Sequence, residues 1–151
     1  MTETKEVNRI VVVGDAYVSP TTLAKAAEQL NFKAAQIVTL MWGTEDKQRF
    51  TDEVTIVEKH GPEAVPCPPE LVEEIVMADI LLIHFCPVPR AVLERAKRLK
   101  LVGICRGGVD NIATEVLTER GIPLVNIIRN AQAVAEFTLG MILSETRNIA
   151  R

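Results

Sequence analysis

Short apolar runs alternate along this sequence with segments that carry a helical pattern. The first run, at 9–13, is rich in β-branched residues and ends at Gly14 and Asp15. An apolar run without polar alternation is typical of a parallel strand that is buried on both faces. Similar runs predict four further strands, at 35–41, 79–84, 100–104 and 122–126.

Helices are predicted between these strands, at 20–30, 69–76, 89–99 and 111–120. Ser19 is expected to cap the first of them, and Gly121 to close the last. The charge-rich stretch 44–59 is predicted to be helical at first and then irregular. Strands that alternate with helices in this way predict an α/β fold, a doubly wound parallel sheet of flavodoxin-like type over residues 1–126.

A long helix is predicted at 130–150, with Asn130 as its N-cap. Its apolar residues form two stripes, so the helix is apolar almost all round, and Glu136 is the only charge in its middle turns. A single sheet cannot cover such a helix. We therefore expect a second domain or a second subunit to pack on it.

Composition excludes several classes of function. Apolar residues make up 48% of the chain and the net charge is −3, which indicates a globular domain and argues against nucleic acid as a partner. The sequence predicts neither a signal peptide nor a membrane span, because no apolar run is long enough. The odd number of cysteines, three, indicates reduced thiols and a cytoplasmic protein.

Three predicted strand ends are candidates for a ligand site, because open parallel sheets bind ligands beyond the carboxyl ends of their strands. They are 14–17, 84–88 and 105–111. In the last, the amides of Gly107 and Gly108 could approach a carboxylate or phosphate without Cβ interference, and Arg106 could clamp it. A tight turn with an exposed arginine explains the same residues and stays open.

Other site chemistries find less support in the sequence. No G-x-G-x-x-G fingerprint for a dinucleotide occurs. Asp15 is placed like the acid of a phospho-receiver domain, but the third strand ends in His84 rather than in aspartate. No metal site is predicted, since the spacings of the histidines and cysteines match no zinc pattern. A cysteine nucleophile with His84 as its base stays open.

The second half of the chain resembles the D-isomer-specific 2-hydroxyacid dehydrogenases, which include the phosphoglycerate dehydrogenases. The resemblance rests on the run at 99–112, then 119–126, 129–138 and 145–151, preceded by the strand and loop at 84–88. It is close and ordered from Asp79 to Arg151.

The resemblance implies roles for particular residues. Residues 1–126 would be the substrate-binding domain, and 127–151 the start of the nicotinamide-binding domain. The carboxylate of a small 2-hydroxy or 2-keto acid would be held at Gly107 and Gly108, beside Arg106. Around it, Phe85 and Cys86 would line the pocket, with Asn130 near the nicotinamide. The helix at 130–150 would form the interface of a homodimer.

In that family the full-length enzyme uses NAD or NADP. Its cofactor fingerprint and its catalytic arginine, carboxylate and histidine lie later in the sequence than the segment that corresponds to 79–151. The resemblance therefore predicts that this chain is the front portion of a dehydrogenase, contains no catalytic residue and has no activity alone. The alternative is a stand-alone module that binds a small acid or dimerises without catalysis.

Overall fold

Five parallel strands form one sheet in the computed structural model, which describes residues 6–32, 35–44, 46–128 and 130–149. The strands are β1 (Arg9–Gly14), β2 (Gln36–Met41), β3 (Ile80–Ile83), β4 (Leu101–Ile104) and β5 (Leu124–Asn126). Their order is β2-β1-β3-β4-β5, and all neighbours pair in parallel. This is the flavodoxin-like order, so the predicted fold class is confirmed.

Within the described residues, six α-helices connect or follow the strands: α1 (Pro20–Glu28), α2 (Lys47–His60), α3 (Pro69–Glu74), α4 (Arg90–Arg95), α5 (Thr114–Glu119) and α6 (Ala131–Arg147). A 3₁₀ turn at Ile75–Met77 extends α3. The oxygen of Ser19 accepts a hydrogen bond from the Thr22 amide, which confirms the predicted cap of α1. Gly121 follows α5 with φ of +63°, as expected of a residue that ends a helix.

Alternate residues of β1 face two different apolar layers. Val11 and Val13 belong to the larger cluster, which includes α2, α3, α4 and α5, whereas Ile10 and Val12 pack in a smaller cluster with Leu23 of α1. β1 is therefore covered on both faces, which explains its unbroken apolar run.

The prediction that 44–59 becomes irregular was wrong. α2 is helical from Lys47 to His60, and its N-cap Asp46 accepts hydrogen bonds from two backbone amides of the first turn. Phe50, Val54 and Val57 are buried at helical spacing, while the charged residues face outward. Three apolar positions were enough to fix the helix on the sheet, although the charged ones dominated its pattern.

The helices predicted at 89–99 and 111–120 are shorter in the structure. α4 ends at Arg95, where the side chain of Arg120 donates hydrogen bonds of 2.5 Å to the Leu93 carbonyl and 2.6 Å to the Ala96 carbonyl. The guanidinium thus adds a second donor to carbonyl groups that also accept from the amides of Ala96 and Leu99 at the end of the helix. α5 starts only at Thr114, because the preceding Asn111 is buried and its side chain binds another loop.

A buried carboxylate links the start of β1 to the start of β3. Asp79 precedes β3 and accepts hydrogen bonds from the amides of Asn8 and Arg9, while Lys100 lies 2.8 Å from its Oδ1. Burial alone raises the pKa of a carboxyl group, but the Lys100 contact and the two amides outweigh it, so the pKa of Asp79 is lowered. The ionised carboxylate therefore stabilises the start of β1 and β3.

Helix α6 buries no residue against the rest of the described chain. Val134, Phe137, Leu139, Met141 and Ile142 are all at least half exposed. Asn130 stands at the N-cap position, but its side chain makes no capping hydrogen bond, so that part of the prediction was wrong. In the part of the chain that the structure describes, no helix combines the length and the apolar character that crossing a bilayer requires.

Candidate functional site

A cavity of about 640 Å³ lies beyond the carboxyl ends of β1, β3 and β4. It is lined by Tyr17, Val18, His84, Phe85, Arg106, Gly107, Gly108 and Asn130. Its position is the topological switch point of the sheet, because β1 and β3 are neighbours whose connections leave in opposite directions. The three strand ends that the sequence singled out therefore meet at one site.

The first wall of the cavity is built around the buried carboxylate of Asp15. Its Oδ1 accepts hydrogen bonds from the amides of Tyr17 (2.9 Å) and Val18 (3.0 Å), on the loop after β1. Its Oδ2 accepts from the Phe85 amide (3.0 Å) and lies 2.9 Å from Nδ1 of His84, on the loop after β3. One side chain thus holds two loops of the cavity together.

Asp15 is ionised in this setting. Burial by itself raises the pKa of the carboxyl group, but the hydrogen bond from His84 and those from three backbone amides outweigh it, so the pKa is lowered. Because the carboxylate carries no proton, all of its contacts are ones in which it accepts.

The second wall is the turn at Gly107 and Gly108. Asn126 donates from its amide to the Gly107 carbonyl at 2.7 Å, and the Ile127 amide donates to the Arg106 carbonyl at 3.2 Å. Neither glycine amide donates a hydrogen bond to any described group. Both N–H groups are therefore available to an anion in the cavity.

Gly108 lies close to the ends of two flexible side chains. A Cβ at this position would lie 2.7 Å from Oδ2 of Asp110 and 3.0 Å from Nη2 of Arg106. At Gly107, by contrast, a Cβ would meet only the Ile127 carbonyl, at 3.7 Å. A side chain at 108 would thus displace the cation beside the turn.

Arg106 is oriented by an aromatic ring and two carboxylates. Its guanidinium carbon stands 4.6 Å from the centre of the Phe85 ring. Its Nη2 donates to Oε1 of Glu58 at 2.6 Å and lies 3.5 Å from Oδ2 of Asp110. Nη1 is buried and has no partner in the described part of the chain. The guanidinium therefore stands beside the cavity as a positive charge held in place by its neighbours.

Asn111 braces the loop that carries His84 and Phe85. Its side-chain amide donates to the carbonyls of His84 (3.3 Å) and Cys86 (2.8 Å), and its backbone carbonyl accepts from the Val88 amide at 2.7 Å. The ends of β3 and β4 are thereby held in register where the cavity opens.

Cys86 does not line the cavity. Its side chain is buried in the core, and its thiol faces the Pro87 carbonyl at 3.5 Å. Burial first, and then the neighbouring Cys67 and Asp15, raise the pKa of the Cys86 thiol well above its ordinary value. A thiol that stays protonated is a poor nucleophile, which argues against the cysteine–histidine alternative.

The structure brings together Phe85, Arg106, Gly107, Gly108 and Asn130 of the predicted site. Sequence reasoning had named the strand end 14–17 but assigned no role to Tyr17 or Val18, which also line the cavity. The contact between Asp15 and His84 could not be predicted from the sequence, since it connects residues 69 positions apart and leaves no local signal. Within the described ranges, no three histidine, cysteine or acidic residues lie close enough to share a metal ion.

Comparison with known proteins decides the family. The family described as D-isomer specific 2-hydroxyacid dehydrogenase, catalytic domain, matches residues 36–149, well over half of the chain. The chain belongs to this family. Membership agrees with the five-stranded parallel sheet and with the resemblance noted in the sequence.

Two curated relatives of the dehydrogenase family illustrate the match. D-3-phosphoglycerate dehydrogenase of Methanocaldococcus jannaschii is 44% identical over 82 residues, which are 53% of this chain and 16% of that enzyme. Hydroxypyruvate reductase of Thermotoga maritima is 33% identical over 84 residues, 54% of this chain and 28% of the reductase. The chain therefore matches only a minor part of each relative's length.

Solved structures share the fold over nearly the whole chain. A Pyrococcus horikoshii protein superimposes with a TM-score of 0.58 and 27% identity, covering 92% of this chain and 34% of its own. The NAD⁺-bound 3-phosphoglycerate dehydrogenase of Entamoeba histolytica has a TM-score of 0.55 at 17% identity, over 91% of this chain and 39% of that one. The second likeness concerns the fold alone.

Proposed function

We propose that this chain is the substrate-binding part of an NAD(P)-dependent dehydrogenase that acts on the CH–OH group of a small D-2-hydroxy acid. The observation that carries the proposal is the pair of unpartnered amides at Gly107 and Gly108, in a cavity at the switch point of a family member. In this role the two amides hold the substrate carboxylate, Arg106 adds a positive charge beside it, and Phe85 forms the apolar wall.

The residues of this chain do not fit a dinucleotide. The glycine pair leads into α5, which starts six residues later and has no side-chain cap. No G-x-G-x-x-G turn joins a strand to a helix in the sequence. The nicotinamide supplies the hydride in such enzymes, whereas the contribution of these residues is to bind and orient the acid. The proposal includes a cytoplasmic location, with which the free thiols of Cys67 and Cys86 agree.

Isothermal titration of the purified chain with D-lactate tests the carboxylate site. Gly108→Ala is expected to weaken binding about 10-fold to 100-fold, because hydrogen bonds to a charged group are lost or misaligned. Gly140→Ala is the matched control, since a Cβ there meets no atom within 4 Å and lies on α6. Equal affinity of the two variants would reject the site.

Catalysis is tested separately. We expect the purified chain to show no NADH oxidation with pyruvate or hydroxypyruvate. In the proposal, the residues at the cavity bind the acid and transfer neither the hydride nor the proton. Measurable turnover by this chain alone would contradict that division of roles. Binding of the acid would still stand as an independent result.

The proposal extends to a homodimer formed through the helix at 130–150. The support is the exposed apolar surface of α6, on which Phe137 is 70% exposed. A stand-alone module that binds small acids or dimerises without catalysis uses the same cavity and helix, and it is the second candidate. The two candidates differ in whether the chain restores turnover when it is joined to a nicotinamide-binding domain.

A further inference from the structure

The positive charge of Arg106 is shared by two carboxylates of the protein. Its Nη2 donates to Oε1 of Glu58, on α2, at 2.6 Å and lies 3.5 Å from Oδ2 of Asp110. The Arg106 side chain is only 13% exposed, so it is held between these groups and the Phe85 ring. One positive and two negative charges leave a net charge of −1 beside the glycine turn. The cation at the cavity is therefore already matched within the protein.

The other described side chains that line the cavity add no net positive charge. His84 lies 2.9 Å from the ionised carboxylate of Asp15, so this pair is at most neutral, even with a fully protonated ring. Tyr17 contributes a hydroxyl group and Asn130 an amide. A second anionic group on a ligand thus finds no unmatched cation among these residues.

Two further cations stand near the site in the sequence. Lys59 follows Glu58 in α2, but it is exposed and does not line the cavity. Arg129 precedes Asn130 and lies outside the described residues. Ligand binding to the whole chain includes any contribution from Arg129, so the test is made on the whole chain.

The N-terminus of α1 offers no second cradle for an anion, although it follows the end of β1, where a phosphate could otherwise bind. Its first residue, Pro20, has no amide hydrogen. The Thr22 amide already donates to the side-chain oxygen of Ser19, and the Leu23 amide to the Ser19 carbonyl. Within the first turn, the Thr21 amide alone is left without a described partner, and one amide does not hold a phosphate.

We propose that the acid bound in this cavity carries a single negative charge, and that Glu58 and Asp110 are the specificity-determining residues that exclude a second anionic group. The substrate class is then the unphosphorylated 2-hydroxy or 2-keto acids with a neutral side chain. This inference rests on the proposed function, since it needs the carboxylate held at Gly107 and Gly108. The cavity of about 640 Å³ has room for a phosphorylated acid, so the exclusion depends on charge rather than on size.

Coulomb's law gives the size of the discrimination. A phosphate ester carries a charge of about −1.5 to −2 at pH 7. At a separation of about 7 Å, two like unit charges weaken binding between about 3-fold and 50-fold, for an effective dielectric constant between about 80 and 20. Because Glu58 and Asp110 are both partly exposed, we expect a value inside this range, about tenfold.

Titration calorimetry of the purified chain with D-glycerate and D-3-phosphoglycerate measures the preference. The wild-type chain is expected to bind D-glycerate about tenfold more tightly. In Glu58→Gln the amide oxygen can still accept from Arg106, so the guanidinium stays in place while one negative charge is removed. The local charge rises from −1 to zero, and the affinity ratio should fall to about one. Adding Asp110→Asn to this variant should reverse the preference.

Glu53→Gln is the matched control for the change of charge. Glu53 lies on the same helix, pairs with the exposed Arg49 at 3.3 Å and does not line the cavity. The control variant should therefore keep the wild-type ratio. Raising the ionic strength from about 0.1 M to about 1 M should bring the wild-type ratio toward one, because salt screens exposed charges and does not change the size of the ligand.

The outcomes separate this inference from the proposed function. If D-glycerate binds and depends on Gly108, but D-3-phosphoglycerate binds as tightly, the inference is refuted and the carboxylate site stands. A preference that Glu58→Gln and Asp110→Asn together leave unchanged, or that resists salt, also refutes it, because size rather than charge would then exclude the phosphate. If neither acid binds, the proposed function fails and the inference fails with it.

Discussion

Replacing Gly14 by alanine should destabilise the chain strongly, because the new Cβ would collide with backbone atoms. Gly14 is the last residue of β1, and a Cβ there would lie 2.2 Å from the Pro20 nitrogen, 2.5 Å from Pro20 Cδ and 2.6 Å from the Ser19 carbonyl carbon. These atoms belong to the start of α1 and cannot rotate away. The helix itself must shift from the sheet.

The size of the destabilisation follows from the kind of atom that the new Cβ would contact. Overpacking a well-packed site costs about 1–3 kcal/mol, and contacts this short with backbone atoms place Gly14→Ala at the upper end, about 3 kcal/mol. For a chain of this length that corresponds to a decrease of about 6–12 °C in Tm. Gly103→Ala is the matched control, because its Cβ would meet only the Cδ2 tip of Leu82, a flexible side chain, at 2.7 Å.

Urea unfolding followed by the fluorescence of Trp42 measures both variants. Trp42 is the single tryptophan and is 4% exposed, so its emission reports loss of the core. We expect Gly103→Ala to lose about 1 kcal/mol or less. If Gly14→Ala is as stable as Gly103→Ala, the close approach of α1 to the end of β1 is not as described.

Three further outcomes are expected. Asp79→Asn should lower stability at neutral pH and make stability depend less on pH in acid. The lowered pKa of Asp79 stabilises the fold above about pH 4, and this stabilisation is lost as the pH falls through the pKa of the folded state. Urea unfolding at several pH values measures both effects. Arg120→Ala should cost about 2 kcal/mol by the same assay, because it removes two hydrogen bonds from a charged donor to the carbonyls at the end of α4. Phe137→Glu should convert the proposed dimer to a monomer, as measured by sedimentation velocity. A wild-type chain that is already monomeric would contradict the proposal of a dimer.

The strands and their order could be predicted from the sequence because each strand is a continuous apolar run. The run in β1 stays unbroken since both of its faces are buried. The full length of α2 could not be predicted in the same way, because its three buried residues are outnumbered by charged ones. Its helical form depends on packing against the sheet, which a local pattern does not contain.

The cavity could be located from the strand ends, but its internal contacts could not. The sequence left open a cysteine nucleophile with His84 as its base, yet β3 ends at Ile83 and Cys86 is buried in the core. The pairing of Asp15 with His84 and that of Arg106 with Glu58 join distant segments. Such pairs are fixed by tertiary packing and have no sequence spacing by which they could be recognised.

Amide NMR spectra recorded during a titration with D-lactate test the central claim most directly. If residues 1–151 hold the substrate carboxylate, the largest shifts should fall on the amides of Gly107 and Gly108, with smaller ones at Phe85 and Tyr17. A second cavity of about 620 Å³, lined by Trp42 and Pro68 among others, provides an internal control and should stay unchanged. Shifts confined to that second cavity, or no shift at either glycine, would contradict the account.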